Sequence, residues 1–294
     1  MPEARFTDLR RFASLDSTNR YLLDEARAGA AEGVVAVADH QTAGRGRLGR
    51  TWEAPAGSNL LLSVLLRPDL GPNQRHLAAT AVALAAVDAI VASEGIGLVR
   101  DGGGGGQAGS HRRLGRFGGR IDAIGGPQPV PVVGIKWPND LVASDGRKLA
   151  GVLAEADLAS AATGVPAPVV VGIGVNVNWP QSDADLPPEL RGIACSLRQM
   201  VGAVIDREEL LTALLAALGP RVAALATVDG RNGLAADLRA ACTTLGRAVR
   251  VDLADESIFG TATSVTDDGH LVVDADGASR TVVAGDVVHV RPAG

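Results

Sequence analysis

The hydrophobic pattern of this chain changes near residue 243, and the change constrains the folds that it can adopt. Beyond this position short apolar runs follow one another closely, and Asp-Gly pairs at 268–269 and 276–277 separate three of them. Asp-Gly is typical of a two-residue hairpin turn. About five short strands in so few residues predict a small barrel or compact sheet at 244–294. The predicted strands are 249–253, 257–266, 270–274, 281–283 and 287–290.

The first 243 residues mix helix and strand patterns, as expected for an α+β domain. The pair Asp145-Gly146 predicts a hairpin turn between two strands in the middle of this region. We therefore place a domain boundary near Thr243. The predicted helices are 21–30, 76–91, 207–225 and 234–242, and the predicted strands are 34–38, 60–66, 132–135, 141–143, 148–155 and 169–173.

The bulk composition excludes some classes of protein. With 294 residues, of which 46% are hydrophobic and 21% charged, the chain fits an ordinary globular protein of one large or two unequal domains. The formal net charge of −5 argues against broad binding of nucleic acid or anionic membranes. No apolar run approaches the length of a membrane span, and residues 1–20 lack the apolar core of a secretion signal. We expect a cytoplasmic protein without membrane attachment.

The cysteines and histidines show no metal-binding pattern. Cys195 and Cys242 lie far apart in the sequence and form no CxxC or CxxH motif, so we expect buried thiols rather than redox or metal-binding groups. The five histidines are scattered and do not form the ligand cluster that a structural zinc site needs. We therefore expect no transition metal.

Six of the ten residues at 101–110 are glycine, and a basic stretch follows at 111–116. Such a segment cannot bury enough apolar surface to offset its backbone entropy. We therefore expect a disordered insertion at about 100–130, which a surface loop tolerates at small cost. A nucleic-acid contact by its arginines is the alternative interpretation.

The segment 41–52 concentrates positive charge beside glycine. Three glycines at 44, 46 and 49 alternate with arginines at 45, 47 and 50. Glycine lets the backbone approach an anion closely, and the guanidinium group offers planar, permanently charged donors for phosphate or carboxylate. The sequence of this loop alone leaves open a solvated basic turn or a nucleic-acid patch.

Three further polar regions accompany the loop. The first is Asp16-Ser17-Thr18-Asn19. The second has two parts, 136–140 (Lys-Trp-Pro-Asn-Asp) and 147–151 (Arg-Lys-Leu-Ala-Gly), and the third is 172–176 (Gly-Ile-Gly-Val-Asn). Taken together with the loop and in this order, they resemble the biotin–protein ligases, also called biotin–[acetyl-CoA-carboxylase] ligases. The resemblance covers about 14–178 apart from the Gly-rich insertion, and it is looser over the C-terminal strands.

The resemblance implies a fold and a reaction. The fold is a class II synthetase-like mixed sheet with helices packed mainly on one face, at 1–243, followed by a small SH3-like barrel. The reaction joins biotin and ATP to give biotinyl-5′-AMP and pyrophosphate, with Mg²⁺, and then transfers biotin to a lysine of a biotin carboxyl carrier protein domain. The ligase motifs begin about sixteen residues from Met1, so we expect no DNA-binding repressor domain. We also expect the protein to be a monomer or a weak homodimer.

The resemblance also implies roles for individual residues. Lys148 would bridge the biotin carboxylate and the α-phosphate, and Arg45 and Arg47 would act with it in catalysis. Asp140 would contact magnesium. The implied biotin-binding residues are Ser17, Thr18, Asn19, Gln41, Gly44, Arg45, Gly46, Arg47, Lys148 and Gly151. The implied ATP- and adenylate-binding residues are Arg45, Gly46, Arg47, Arg50, Trp52, Asn139 and Asn176.

Several of these residues also have simpler interpretations. Ser17, Thr18 or Asn19 can cap the following helix, and Lys148 can be an exposed hairpin lysine. Trp52 can be a core residue, and Asn139 can shape the turn after Pro138. Trp137 we expect in the core.

Two other functions compete with biotin ligation. A lipoate ligase or octanoyl transferase shares the fold and the acyl chemistry. A nonenzymatic RNA-binding protein could use the arginines of the loop, those at 112–116 and the terminal barrel. The acidic balance and the single tyrosine disfavour RNA binding, because barrels that bind single strands usually display stacking aromatic residues.

The glycines of the loop predict that it is mobile without ligand. We expect residues 43–52 to close over the adenylate and to keep water from the reactive anhydride. Amide hydrogen exchange measured with and without biotin and ATP should therefore show slower exchange in 43–52 when both are present. Equal protection in the two states would contradict closure.

Overall fold

The computed structural model describes residues 5–94, 96–98, 132–157, 167–253, 255–283 and 285–290. The predicted Gly-rich insertion at about 100–130 lies outside the described residues.

In the described part of the N-terminal region, eight strands form one sheet in the order β1-β2-β3-β8-β7-β6-β5-β4. The pairs β1/β2 and β4/β5 are parallel and the other neighbours are antiparallel. The predicted mixed sheet is therefore confirmed. The strands are β1 Leu9–Phe12, β2 Val35–Ala38, β3 Leu60–Leu66, β4 Gly97–Leu98, β5 Val132–Lys136, β6 Asp140–Ala143, β7 Lys148–Ala156 and β8 Val169–Val175.

The helices lie mainly on one face of this sheet, as expected. Helix α2 packs against β5, β7 and β8, and α4 and α5 pack on α2. Alanines at many positions of α2 are fully buried, and these small side chains allow close approach of the neighbouring elements. Helix α1 covers part of the other face, where Leu22 packs with Leu65 and Val170. The helices are α1 Thr18–Arg27, α2 Leu77–Glu94, α3 Leu197–Val201, α4 Arg207–Ala223 and α5 Val228–Ala241.

The helical segment Arg207–Ala226 is long and apolar enough to cross a membrane by length and composition alone. In this structure its leucines, including Leu210, Leu214 and Leu218, are buried in the core. Packing against α2 therefore accounts for its apolar composition.

The C-terminal strands form a separate antiparallel sheet, in the order β12-β11-β10-β9-β13. This confirms the predicted small β unit, and Gly269 and Gly277 adopt positive φ angles of 82° and 79° at the two predicted hairpin turns. Its strands are β9 Ala248–Asp252, β10 Ser257–Val265, β11 Leu271–Ala275, β12 Ala278–Val282 and β13 Asp286–His289.

Trp137 joins the two sheets and is only 3% exposed, which confirms it as a core residue. Its backbone N–H donates to Thr244 Oγ1 at 3.1 Å, and its indole Nε1 donates to the carbonyl oxygen of Gly269 at 3.0 Å. The C-terminal sheet is thereby attached to the turn between β5 and β6.

Both cysteines are buried, as expected. Burial raises the pKa of the Cys195 thiol to about 12, so this group stays protonated and unreactive at neutral pH.

Replacing Trp137 tests the junction between the sheets. Trp137→Phe keeps an aromatic ring but leaves the Gly269 carbonyl without its indole donor, so the free energy of unfolding should fall by about 1–3 kcal/mol. Urea denaturation followed by circular dichroism measures this change. Val228→Ala, at a side chain that is 62% exposed, is the control and should shift stability by less than about 0.5 kcal/mol.

Candidate functional site

A cavity of about 450 Å³ opens between the N-terminal sheet and the loop at 41–53. This volume falls within the usual range for small-molecule sites. Strands β7 and β8 contribute its floor, the turn after β5 one wall, and Asp286 of β13 part of its rim.

The cavity brings together almost every predicted site residue. Side chains from the three catalytic candidates, Arg45, Arg47 and Lys148, face this one space. The other predicted residues that line it are Ser17, Thr18, Asn19, Gln41, Gly46, Arg50, Trp52, Asn139, Asp140, Gly151 and Asn176.

Gly44 does not line the cavity. A Cβ atom at this position would overlap the carbonyl oxygen of Trp52, while the Trp52 N–H donates to Gly44 O at 2.9 Å. The absence of a side chain therefore lets the two arms of the loop approach each other, and the contact of Gly44 with biotin stays a prediction.

The start of α1 provides a buried polar end of the cavity. Ser17 Oγ accepts from the N–H of Arg20, so Ser17 caps the helix, which begins at Thr18 rather than at residue 21 as predicted. The backbone N–H and the hydroxyl of Thr18 both lie within hydrogen-bond distance of Gln41 Oε1, at 2.8 and 3.1 Å. Ser17 therefore caps the helix and also lines the cavity, beside Thr18 and Asn19.

Trp52 packs on two glycines of the floor. A Cβ atom at Gly174 would lie 2.7 Å from Cε2 of the indole, and one at Gly151 would lie 3.3 Å from Cζ3. The indole Nε1 is buried and has no hydrogen-bond partner among the described residues. Lys148 Nζ lies 5.6 Å from the ring centroid, within range of a cation–π interaction. Trp52 is therefore a wall of the cavity.

Lys148 is held through its backbone. Its N–H donates to Ile193 O at 2.6 Å, and its carbonyl accepts from the N–H of Cys195 at 2.9 Å. Its Nζ forms an ion pair with Asp140 Oδ1 at 2.8 Å. Lys148 is thus a fixed cation at the start of β7, and its side chain is one-third exposed.

The same ion pair bears on the predicted magnesium contact. The carboxylate of Asp140 is engaged by Lys148, and no group of three or more His, Cys, Asp or Glu side chains suited to a metal occurs among the described residues. A single carboxylate can hold Mg²⁺ together with substrate phosphates, so the contact of Asp140 with magnesium stays a prediction.

Each loop arginine meets a partner distant in sequence. Arg45 pairs with Glu155 at 3.1 Å, and Arg50 pairs with Asp286 at 2.6 Å. Arg47 donates to Asn139 Oδ1 at 3.2 Å and to the carbonyl of Gly285 at 3.1 Å. The C-terminal sheet therefore helps to hold the loop against the cavity.

The two asparagines assigned to ATP also have structural partners. Asn139 Nδ2 donates to the carbonyl of Val152 at 2.5 Å, and Asn176 Nδ2 donates to the carbonyl of Cys195 at 3.0 Å. Asn59 Nδ2 donates to Asn176 Oδ1 at 3.2 Å. Each amide therefore faces the cavity while fixing the backbone around it.

The sequence interpretation missed Lys136, Glu155 and Asp286. Lys136 lines the cavity, and burial lowers its pKa below the ordinary value for a lysine. Its position in the motif 136–140 was an available signal. Glu155 and Asp286 reach the loop across 110 and 236 residues, and no local pattern marks them.

Comparison with known proteins agrees with this geometry. Residues 11–176 match the model of the Biotin/lipoate A/B protein ligase family, and residues 244–290 match the Biotin protein ligase C terminal domain. The chain belongs to the biotin/lipoate A/B protein ligase family. The family predicted from the motifs is thereby confirmed.

Relatives that match most of this chain support the assignment. A "Biotin--[acetyl-CoA-carboxylase] ligase" of Mycobacterium tuberculosis is 35% identical over 286 residues, which are 95% of this chain and 88% of that protein. The "Bifunctional ligase/repressor BirA" of Escherichia coli is 31% identical over 277 residues, 93% of this chain and 71% of that protein. A structure titled "Biotin protein ligase from Aquifex aeolicus in complex with biotin and ATP" shares the fold, with a TM-score of 0.72, 23% identity and coverage of 97% of this chain and all of that one.

Substitution at the cavity floor tests the placement of Trp52. Gly174→Ala forces the indole away from β8, so tryptophan emission should shift to longer wavelength and acrylamide quenching should increase. Gly71→Ala, where an added Cβ meets nothing within 4 Å, is the control and should leave both signals unchanged. An unshifted Gly174→Ala spectrum would contradict the packing of Trp52 on this strand.

Proposed function

We propose that this member of the family activates biotin with ATP and transfers the biotinyl group to a lysine of a biotin carboxyl carrier protein domain. The observation that carries the proposal is the convergence of Arg45, Arg47 and Lys148 on one cavity, which is also lined by the buried Thr18 and the partly buried Gln41. A polar head group and an anionic reacting centre can therefore be held at the same time.

In the first half-reaction a carboxylate oxygen of biotin attacks the α-phosphorus of ATP. A new P–O bond forms, the bond to the β-phosphate oxygen breaks, and pyrophosphate leaves. Two anions repel each other unless cations lie between them. Lys148 already holds one carboxylate, that of Asp140, at 2.8 Å, so its ammonium group is placed to receive the biotin carboxylate or the α-phosphate in exchange.

In the second half-reaction the neutral ε-amine of a carrier lysine attacks the acyl carbon of biotinyl-5′-AMP. An amide bond forms, the acyl–phosphate bond breaks, AMP leaves, and the amine proton passes to solvent. Arg45 and Arg47 stabilise the departing phosphate. Each charge-assisted hydrogen bond of this kind contributes about 1.5–3 kcal/mol.

The remaining assignments follow the shape of the cavity. Ser17, Thr18, Asn19 and Gln41 would hold the ureido head of biotin, and a site built to hydrogen-bond that group rejects analogues without it. Trp52, Arg50, Asn139 and Asn176 would hold the nucleotide. Magnesium is held in many sites chiefly by substrate phosphates, so we propose that it arrives with ATP, and no step above depends on it. The cytoplasm, where carriers and ATP occur together, is the proposed location.

The competing functions are less well supported. The family includes lipoate ligases, but two curated relatives that span most of this chain carry the name "Biotin--[acetyl-CoA-carboxylase] ligase". For RNA binding, the arginines of the loop would have to offer free charge to phosphates. The side chains of Arg45 and Arg50 are exposed in part, but each already pairs with a carboxylate, at 3.1 and 2.6 Å.

Pyrophosphate release identifies the substrate. The purified chain incubated with ATP should release pyrophosphate with biotin and not with lipoate or octanoate. Lys148→Ala should reduce the rate about 10²–10³-fold, the usual effect of removing one transition-state donor. Arg280→Ala removes an ion pair with Glu256 on the C-terminal sheet and should leave the rate unchanged. Faster turnover with lipoate than with biotin would overturn the substrate assignment.

A further inference from the structure

Lys136 differs from the other cations that line the cavity. Lys148, Arg45 and Arg50 each form an ion pair with a carboxylate. Arg47 donates hydrogen bonds to a side-chain amide and to a backbone carbonyl. Lys136 also lines the cavity and is partly buried, but its side chain has neither an ion pair nor a hydrogen bond among the residues that the structure describes. Because a partly buried ammonium group is costly without a partner, this side chain is suited to an anionic ligand.

The electrostatic surroundings of Lys136 favour the same interpretation. Burial is the main cause that lowers the pKa of this lysine below its ordinary value. The carboxylates of Asp140 and Asp286 act in the opposite direction and raise the pKa. The neighbouring cations Lys148 and Arg50 lower it. An anion placed among the three cations relieves their mutual repulsion and stabilises the charged form of Lys136.

The pairing of three strands fixes the position of Lys136 on the floor of the cavity. Lys136 of β5 is the register partner of Asp140 of β6, and Asp140 is the register partner of Gly151 of β7. Residues directly opposite each other on neighbouring strands share one face of a sheet. Asp140 and Gly151 both line the cavity, so Lys136 belongs to the same floor. Its backbone lies two strands from Gly151, which is roughly 10 Å.

The predicted binding groups follow one another across this sheet. Thr18 lies against β3, where its hydroxyl is 2.7 Å from Ser63 Oγ. Lys148 and its partner Asp140 belong to β7 and β6. Lys136 belongs to β5, and the strand order in this part of the sheet is β3-β8-β7-β6-β5. Lys148 therefore lies between the polar end of the cavity at Thr18 and Lys136.

This order gives the leaving group a side of the cavity. In the proposed first half-reaction a carboxylate oxygen of biotin attacks the α-phosphorus, and the electron pair of the broken bond goes to pyrophosphate. The attacking and the leaving oxygens lie roughly in line on opposite sides of the phosphorus. Biotin held at Thr18 reaches Lys148 from the side of β3. Pyrophosphate then departs toward β5, where Lys136 lies.

We propose that Lys136 binds the β- and γ-phosphates of ATP and stabilises the negative charge that develops on the departing pyrophosphate. The inference rests on the proposed function. The ammonium group donates hydrogen bonds to phosphate oxygens, which become more negative as the bond to the α-phosphorus breaks. The interaction is therefore stronger in the transition state than in bound ATP. Lys136 is thus a catalytic residue of the first half-reaction and takes no part in the second, in which AMP leaves.

Separate measurement of the two half-reactions tests this assignment. Lys136→Met keeps the length of the side chain and removes the ammonium group. In the reaction of biotin with ATP, kcat/KM for ATP should fall about 10- to 100-fold, the effect of losing one charge-assisted hydrogen bond. Transfer from added biotinyl-5′-AMP to a carrier domain should keep its rate, because pyrophosphate takes no part in that step. Lys136→Arg keeps the charge and should recover most of the loss.

Inorganic pyrophosphate is a direct probe of the same site. In the reverse reaction, pyrophosphate and biotinyl-5′-AMP give ATP and biotin, and Lys136→Met should raise the KM for pyrophosphate about 10- to 100-fold. Arg247→Ala is the matched control. Arg247 is exposed, does not line the cavity and has no side-chain ion pair in the part of the chain that the structure describes. Its removal should leave both half-reactions unchanged.

Two results would overturn the role of Lys136. One is an unchanged response of Lys136→Met to both ATP and pyrophosphate. The other is an equal loss in the two half-reactions, because that result indicates a general disturbance of the cavity. Both results leave the proposed function intact. Absence of pyrophosphate release by the unmodified chain with biotin and ATP would instead contradict the proposed function.

Discussion

The cavity depends on the neutralisation of several cations that face one another across a small space. Lys148, Arg45 and Arg50 each meet a carboxylate, at 2.8, 3.1 and 2.6 Å. Like charges brought together without partners would repel and would open the loop. The carboxylates therefore stabilise the arrangement of these cations, and an anionic ligand can take their place without new cations having to move into the cavity.

Those carboxylates come from three different places in the fold. Asp140 begins β6, Glu155 lies near the end of β7, and Asp286 begins β13 of the C-terminal sheet. The antiparallel pairing of β6 and β7 sets Asp140 opposite Gly151, close to Lys148. The junction at Trp137 fixes the second sheet against the turn after β5, next to the loop. A defect in either contact would disturb the charges of the site as well as the stability of the fold.

The site also shows how structural and binding tasks share residues. Ser17 caps α1, Asn176 holds the backbone at Cys195, and Gly44 allows the loop to close, yet all three belong to motifs that the family resemblance connects with ligands. The simple and the functional interpretations of Ser17 and Asn139 are therefore compatible. Asp140 likewise pairs with Lys148, and its contact with magnesium stays a prediction.

Local patterns were sufficient to predict the mixed sheet, the hairpin at Asp145-Gly146, the small C-terminal β unit and the loop arginines. Each of these features is encoded by neighbouring residues. The patterns are apolar alternation, turn-forming pairs, or alternating glycine and arginine. The sequence by itself thus determined which elements form and which motifs carry charge. Only the tertiary structure decided that Glu155 and Asp286 belong to the site, since a hydrogen bond or ion pair between residues far apart in the chain leaves no periodic trace. The pairing of strands and the packing of two sheets bring such residues together, and that depends on the whole fold.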